Sequence, residues 1–185
     1  MGKIKDLFVK QKKSKIASEQ LGECLWLLIA ELTSDWKHSF YKNGIPRFED
    51  FPALTDEKRQ VVLQREMFII NNWIISHVLG SNRRVLDYLH KFHLDFYNSM
   101  GKTDQEKREL SVLIRKTINK RYEQYDEGSD SAHKSPALSA VMLQNMLGKE
   151  EPVSSPSLMT FIAGYVVSIK KNVTDFCNRY EIVDN

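Results

Sequence analysis

Two cysteines, five prolines and eight glycines are all that 185 residues contain, and each scarcity excludes something. Cys24 and Cys177 lie far apart in the chain, so there is neither a disulfide framework nor the paired spacing of a zinc site; both read as reduced core thiols in a reducing compartment. No stretch repeats at a period of about twenty to fifty residues and no tract is of low complexity, which disfavours a solenoid. Gly-x-Gly-x-x-Gly and Walker patterns are missing, and the serines of "PVSSPS" lack the surroundings of a nucleophile elbow, so nucleotide and acyl-transfer chemistry are disfavoured. No uncharged run reaches the roughly 20 apolar residues of a membrane span: Met67–Asn82 is broken by Asn71, Asn72 and His77, and Leu158–Ile169 is too short. No secretory h-region follows the basic start. Met1-Gly2 does not make a myristoylation motif, because Asp6 stands where Ser or Thr is wanted.

What remains is 42% hydrophobic and 28% charged, enough apolar matter for one folded domain without staples, expected in the cytoplasm. The charge is uneven. Residues 1–15 hold six lysines against Asp6, a local +5, so the net +3 leaves −2 for residues 16–185. A folded surface that grips nucleic acid carries its own positive charge, so nucleic-acid binding is not expected of this body.

Alternation bounded by turn residues is missing, whereas helix punctuation is legible, which predicts an all-α single-domain bundle of about six helices, four of them long. The first runs from Ser18 to about Asn43, with Leu21, Leu25, Leu28 and Leu32 on one stripe. "GIPRFEDFPALT" makes a loop, and Thr55 caps a second helix that ends at Leu79 before Gly80. That helix is apolar nearly all round: Leu63, Met67, Ile70, Ile74 and Val78 form one arc, and Val61, Phe68, Ile75 and Leu79 another. It should be the largely buried centre. Ser81 or Asn82 starts a third helix. Thr103 and Glu106 box the start of a fourth that stops at Gly128. Ser135-Pro136 and Ser155-Pro156 open a short fifth, ending at Leu147, and a sixth that reaches Tyr180.

Three constellations could carry chemistry. "LDYLHKFHLDFY" places His90 and His93 one turn apart on the third helix, yet no Glu-x-x-His occurs anywhere, and Asp87-x-x-His90, which has the spacing, turns its aspartate from the core. A transition metal in a bundle needs such pairs from facing helices, so we expect no metal and no cofactor, with His93 on the flank of the core stripe of Val85, Leu89, Phe92 and Phe96 and His90 exposed. On the second helix Arg59, Glu66, Trp73 and His77 project within roughly 40° of one line. Glu66 and His77 would serve an enzyme or a small-ligand site if they line a cavity; a solvent-facing strip, or an ion pair of Glu66 with Arg59 or Arg65, is the plainer expectation. Arg115, Lys116, Lys120 and Arg121 read as a solvated face of the fourth helix.

The most distinctive feature is the arm, residues 1–15, expected to be flexible. Leu7 and Phe8, with Ile4, form an apolar patch among Lys3, Lys5, Lys10, Lys12, Lys13 and Lys15. Basic amphipathic segments bind anionic membrane surfaces or an acidic partner's groove. The expected function is therefore non-catalytic interaction through the arm, with residues 16–185 as the folded domain; the alternative is a helical enzyme or ligand-binding protein using Glu66 and His77. Oligomeric state leaves no mark on the sequence.

Overall fold

The computed structural model describes residues 13–34, 60–80, 82–98, 102–130, 134–147 and 156–183. Among them it is an all-α bundle of six helices, α1 Ser18–Ser34, α2 Gln60–Leu79, α3 Arg83–Asn98, α4 Asp104–Asp130, α5 Lys134–Leu147 and α6 Pro156–Cys177, with two three-residue strands. None of these helices is long and apolar enough to cross a membrane.

Local chemistry sets most of the boundaries. The Ala17 amide donates to Gln20 Oε1 at 3.4 Å as α1 begins. Gly80 takes φ +51° after α2, the left-handed turn that L side chains avoid. Asn82 Oδ1 accepts from the Val85 amide at 3.3 Å to cap α3. The capping box of α4 closes both ways, the Glu106 amide donating to Thr103 Oγ1 at 3.2 Å and the Thr103 amide to Glu106 Oε2 at 2.9 Å. Three boundaries differ from expectation, those of α4 and α5 first. Gly128 does not stop α4, which carries it, buried, on to Asp130; packing outweighs the roughly 1 kcal/mol helix penalty of glycine. Helix α5 begins at Lys134, ahead of Pro136, which is tolerated because the first-turn amides have no intrahelical acceptor to lose. The expected continuation of α1 past Ser34, the loop at 44–55 and the Thr55 cap lie outside the described residues.

Helix α2 is the centre, touching all five other helices. Leu63, Met67, Ile70 and Ile74 from one arc and Phe68 and Ile75 from the other are buried, while Val61, at the start of the second arc, stands out in solvent. Around it α1 lies on α3, α3 on α4, α4 on α5, and α5 on α6. On α6 the stripe of Leu158, Ile162, Tyr165, Ile169 and Val173 faces inward.

Helix α6 ends at Cys177 rather than Tyr180, because a turn at 178–179 delivers Tyr180–Ile182 as β2. Strand β1, Ser14–Ile16, pairs with it in parallel, Ser14 opposite Tyr180 and Ile16 opposite Ile182. The Ser14 amide donates to the Arg179 carbonyl at 3.0 Å and the Val183 amide to that of Ile16 at 2.9 Å. Two stretches from far apart in the chain are thus stapled beside the start of α1, and Ile16 is buried there.

Helices α1 and α3 approach most closely at Gly22, where an added Cβ would come within 2.8 Å of Tyr88 Cβ. Gly164 on α6 has nothing within 4 Å of the same point. Gly164→Ala should therefore stabilise by about 0.5–1 kcal/mol through helix propensity alone, whereas Gly22→Ala, with the same propensity gain, should destabilise by about 1–3 kcal/mol as the two helices are forced apart. Urea unfolding midpoints of the two variants should move in opposite directions.

Candidate functional site

Glu66 lies in the middle of α2 with no solvent exposure, and its carboxylate is met from α4. Arg121 Nε donates to Oε2 at 3.0 Å and Nη2 to Oε1 at 3.3 Å, the two-pronged geometry that guanidinium suits. Arg65 adds a contact at 3.4 Å from the partly exposed side. The network continues outward: Arg121 Nη1 donates to Gln124 Oε1 at 3.2 Å, which also accepts from Asn145 of α5 at 3.3 Å. The expected partners of Glu66 were Arg59 and Arg65. Arg59 lies outside the described residues, and the main partner is a residue read from sequence as part of a solvated basic face. Arg121 is 21% exposed; Arg115, Lys116 and Lys120 are exposed.

The rest of the polar line on α2 divides. Trp73 is buried, its Nε1 donating to Asp126 Oδ1 at 2.8 Å, with Lys170 of α6 5.2 Å from its ring centre. His77 is half-exposed, its Nδ1 4.0 Å from the same Asp126 oxygen. Glu66 and His77 therefore do not meet in a cavity: one is sealed in an ion pair, the other rides the surface. Below them Tyr165 of α6 donates to Asn71 Oδ1 at 2.6 Å, and Asn71 Nδ2 reaches Thr33 Oγ1 of α1 at 3.4 Å. Burial pushes the Tyr125 and Tyr165 hydroxyls up, and at Tyr125 the Glu66 carboxylate adds to the rise. Both phenols stay protonated, and that of Tyr165 serves as a structural hydrogen-bond donor.

On α3, Val85 and Leu89 are buried as the stripe requires, Asp87 and His90 are exposed, and Phe96 emerges to 42%. His93 is not on a flank: it is 6% exposed, its ring 5.0 Å from that of Phe68 and 5.9 Å from that of Trp26. Burial pushes it down to about 4, His90 adding to the shift. No group of three or more metal-ligating side chains gathers among the described residues. Cys24 and Cys177 are unpaired and half-buried rather than in the core, and burial pushes the Cys177 thiol up, the opposite of what a reactive thiolate needs.

Of the arm, Lys3, Lys5, Leu7, Phe8, Lys10 and Lys12 lie outside the described residues; Lys13 and Lys15 are exposed, Lys15 within β1 opposite Glu181. Comparison of the chain with protein families, with curated proteins and with solved structures finds no match to any of them.

The ion pair and the histidine each yield an expected outcome. Arg121→Met strands a buried carboxylate with only Arg65 in reach, so urea unfolding should show a loss of about 3 kcal/mol, and Glu66→Met combined with it should recover part of that loss. Because the folded protein holds His93 uncharged down to about pH 4 while the unfolded chain binds a proton near 6.5, its contribution is intact above pH 6.5. It is lost as pH falls toward 4, by up to about 3 kcal/mol. His93→Gln, which cannot titrate, should flatten that part of the stability-against-pH curve.

Proposed function

We propose that this is a non-catalytic cytoplasmic helical protein that docks to an anionic membrane surface through residues 1–15. The observation that carries the reading is the segregation of charge, +5 in those fifteen residues against −2 in the remainder. A lysine near anionic headgroups contributes about 1 kcal/mol, and an apolar patch such as Leu7 and Phe8 adds insertion to attraction. Support also comes from the ribbon: pairing of Ser14–Ile16 with Tyr180–Ile182 ties the root of the arm to a defined place on the bundle, so attachment of the arm orients the domain behind it. The competing enzyme reading loses its carboxylate, since Glu66 has no exposure and is already held by Arg121.

Deletion should stop at residue 12, because removing Ser14 and Lys15 would also remove β1. The shortened protein should keep its circular dichroism spectrum and urea midpoint. It loses four of the six lysines, so binding to phosphatidylserine vesicles in a cosedimentation assay should fall by roughly three orders of magnitude. Binding of the intact chain should weaken with salt as the screening length shortens to about 8 Å near physiological ionic strength. Replacing Leu7 and Phe8 with Ala should weaken it further. Equal sedimentation of intact and shortened chains would defeat the reading, and arm-dependent binding to polyglutamate but not to vesicles would redirect it to an acidic protein partner.

A further inference from the structure

Between α3 and α4 the bundle leaves a cleft of about 390 Å³, within the roughly 300–1,000 Å³ range of small-molecule sites. Its walls are mostly apolar, Leu94 from α3 facing Ile114, Ile118 and Tyr122 from α4, with His93 at one side and Asn119 and Arg115 at the other. No aspartate or glutamate lines it among the described residues. Arg115 is exposed there and makes no ion pair among the described residues, although Arg121 on the same helix is fully engaged with Glu66. The His93 ring lines the cleft and also packs 5.0 Å from the ring of Phe68 and 5.9 Å from that of Trp26, so the imidazole is a wall shared by the cleft and the aromatic core. Burial keeps it uncharged near neutral pH, and His90 beside it is also lowered by burial. That leaves one fixed charge, the guanidinium of Arg115, at the edge of an apolar slot.

We propose that the cleft between α3 and α4 binds a small monocarboxylate with an apolar body, the carboxylate paired with Arg115 and the body lying against Ile114, Ile118 and Tyr122 over the His93 ring. A single guanidinium matches a single carboxylate in charge and in two-pronged geometry. A cation would meet Arg115 with nothing to offset it, and a phosphate dianion would be left half neutralised. The body is aromatic or aliphatic, two chemistries that the same slot admits. The site shares no residue with the arm and stands independently of membrane docking.

Titration calorimetry with 2-naphthoate and with octanoate tests this, with 2-naphthamide as the uncharged control and the His93 ring resonances followed by NMR to report where binding occurs. At least one of the two acids should bind saturably at one equivalent and shift the His93 ring signals; which one it is assigns the body as aromatic or aliphatic. Arg115→Gln, an exposed change that spares the fold, should weaken that acid by about tenfold to a hundredfold, the loss expected for a charge-assisted pair, and leave the amide where it was. Ile118→Trp, which fills the slot, should abolish binding of both. No saturable binding of either acid at millimolar concentration, no change at His93, equal affinity for naphthoate and naphthamide, or an Arg115→Gln protein that binds as well as the parent would overturn the proposal.

Discussion

Along its buried middle α2 has few places to send a polar side chain to water, and it carries Glu66, Asn71, Asn72 and Trp73 into the interior with exposures of 2% or less. Left unanswered, a buried carboxylate costs several kcal/mol, more than half the stability of a marginal domain. Three surrounding helices answer these polar groups: Glu66 is met by Arg121 and Trp73 by Asp126, both of α4, and Asn71 by Tyr165 of α6 and by Thr33 of α1. Asn72 turns back on its own helix, donating to the Phe68 carbonyl at 2.9 Å. Apolar contacts alone would let neighbours slide along α2 or exchange places, since one methyl resembles another. Directional bonds to three separate helices hold each at one height and one rotation.

That arrangement explains what could be read from the sequence and what could not. Helix positions were legible wherever the signal is local: Asn82, the Thr103–Glu106 box, Gly80 and Pro156 act within a turn of themselves. The two arcs of α2 were legible because burial on both sides leaves an apolar pattern with no clear face. Partners were not, because a side chain's partner is chosen across the bundle. Arg121 stands beside Arg115, Lys116 and Lys120 in the chain, and its difference from them depends on where α4 crosses α2. His93 was misjudged for a related reason: the stripe drawn from Val85, Leu89, Phe92 and Phe96 assumes one covering neighbour, whereas Phe68 of α2 and Trp26 of α1 reach His93 together and leave Phe96 at the edge. Strands of three residues carry no alternation to detect, and a parallel pair between the two ends of the described chain has no turn to announce it.

Chemistry divides along the same line. The carboxylate on α2 that looked reactive is engaged in holding the bundle, since Glu66 has no solvent exposure and is gripped by a guanidinium at 3.0 Å, while His77 rides the surface apart from it. The α3–α4 seam differs because α4, 27 residues long, is answered by α2 and α5 mainly in its second half. Its first half leaves Val112 and Leu113 exposed and Arg115 without an acid. The polar groups near the centre of the fold are therefore engaged with one another, whereas Arg115 at its edge stands exposed beside the cleft.

The ribbon bears on how an arm can act on a domain. A flexible segment joined directly to a helix would let the bundle tumble freely once the arm was captured, so binding would convey proximity but not orientation. Pairing Ser14–Ile16 with the residues that follow α6 adds a second, hydrogen-bonded route from the root of the arm into the fold beside the covalent one: pull on Lys13 is shared between α1, which follows Ala17, and α6, which ends at Cys177. Both helices pack on α2, so the root is tied through two walls to the most buried element of the molecule. Backbone bonds at both ends of the pairing, 3.0 Å from the Ser14 amide and 2.9 Å to the Ile16 carbonyl, resist rotation as well as separation. A captured arm thereby presents a fixed side of the bundle to whatever holds it.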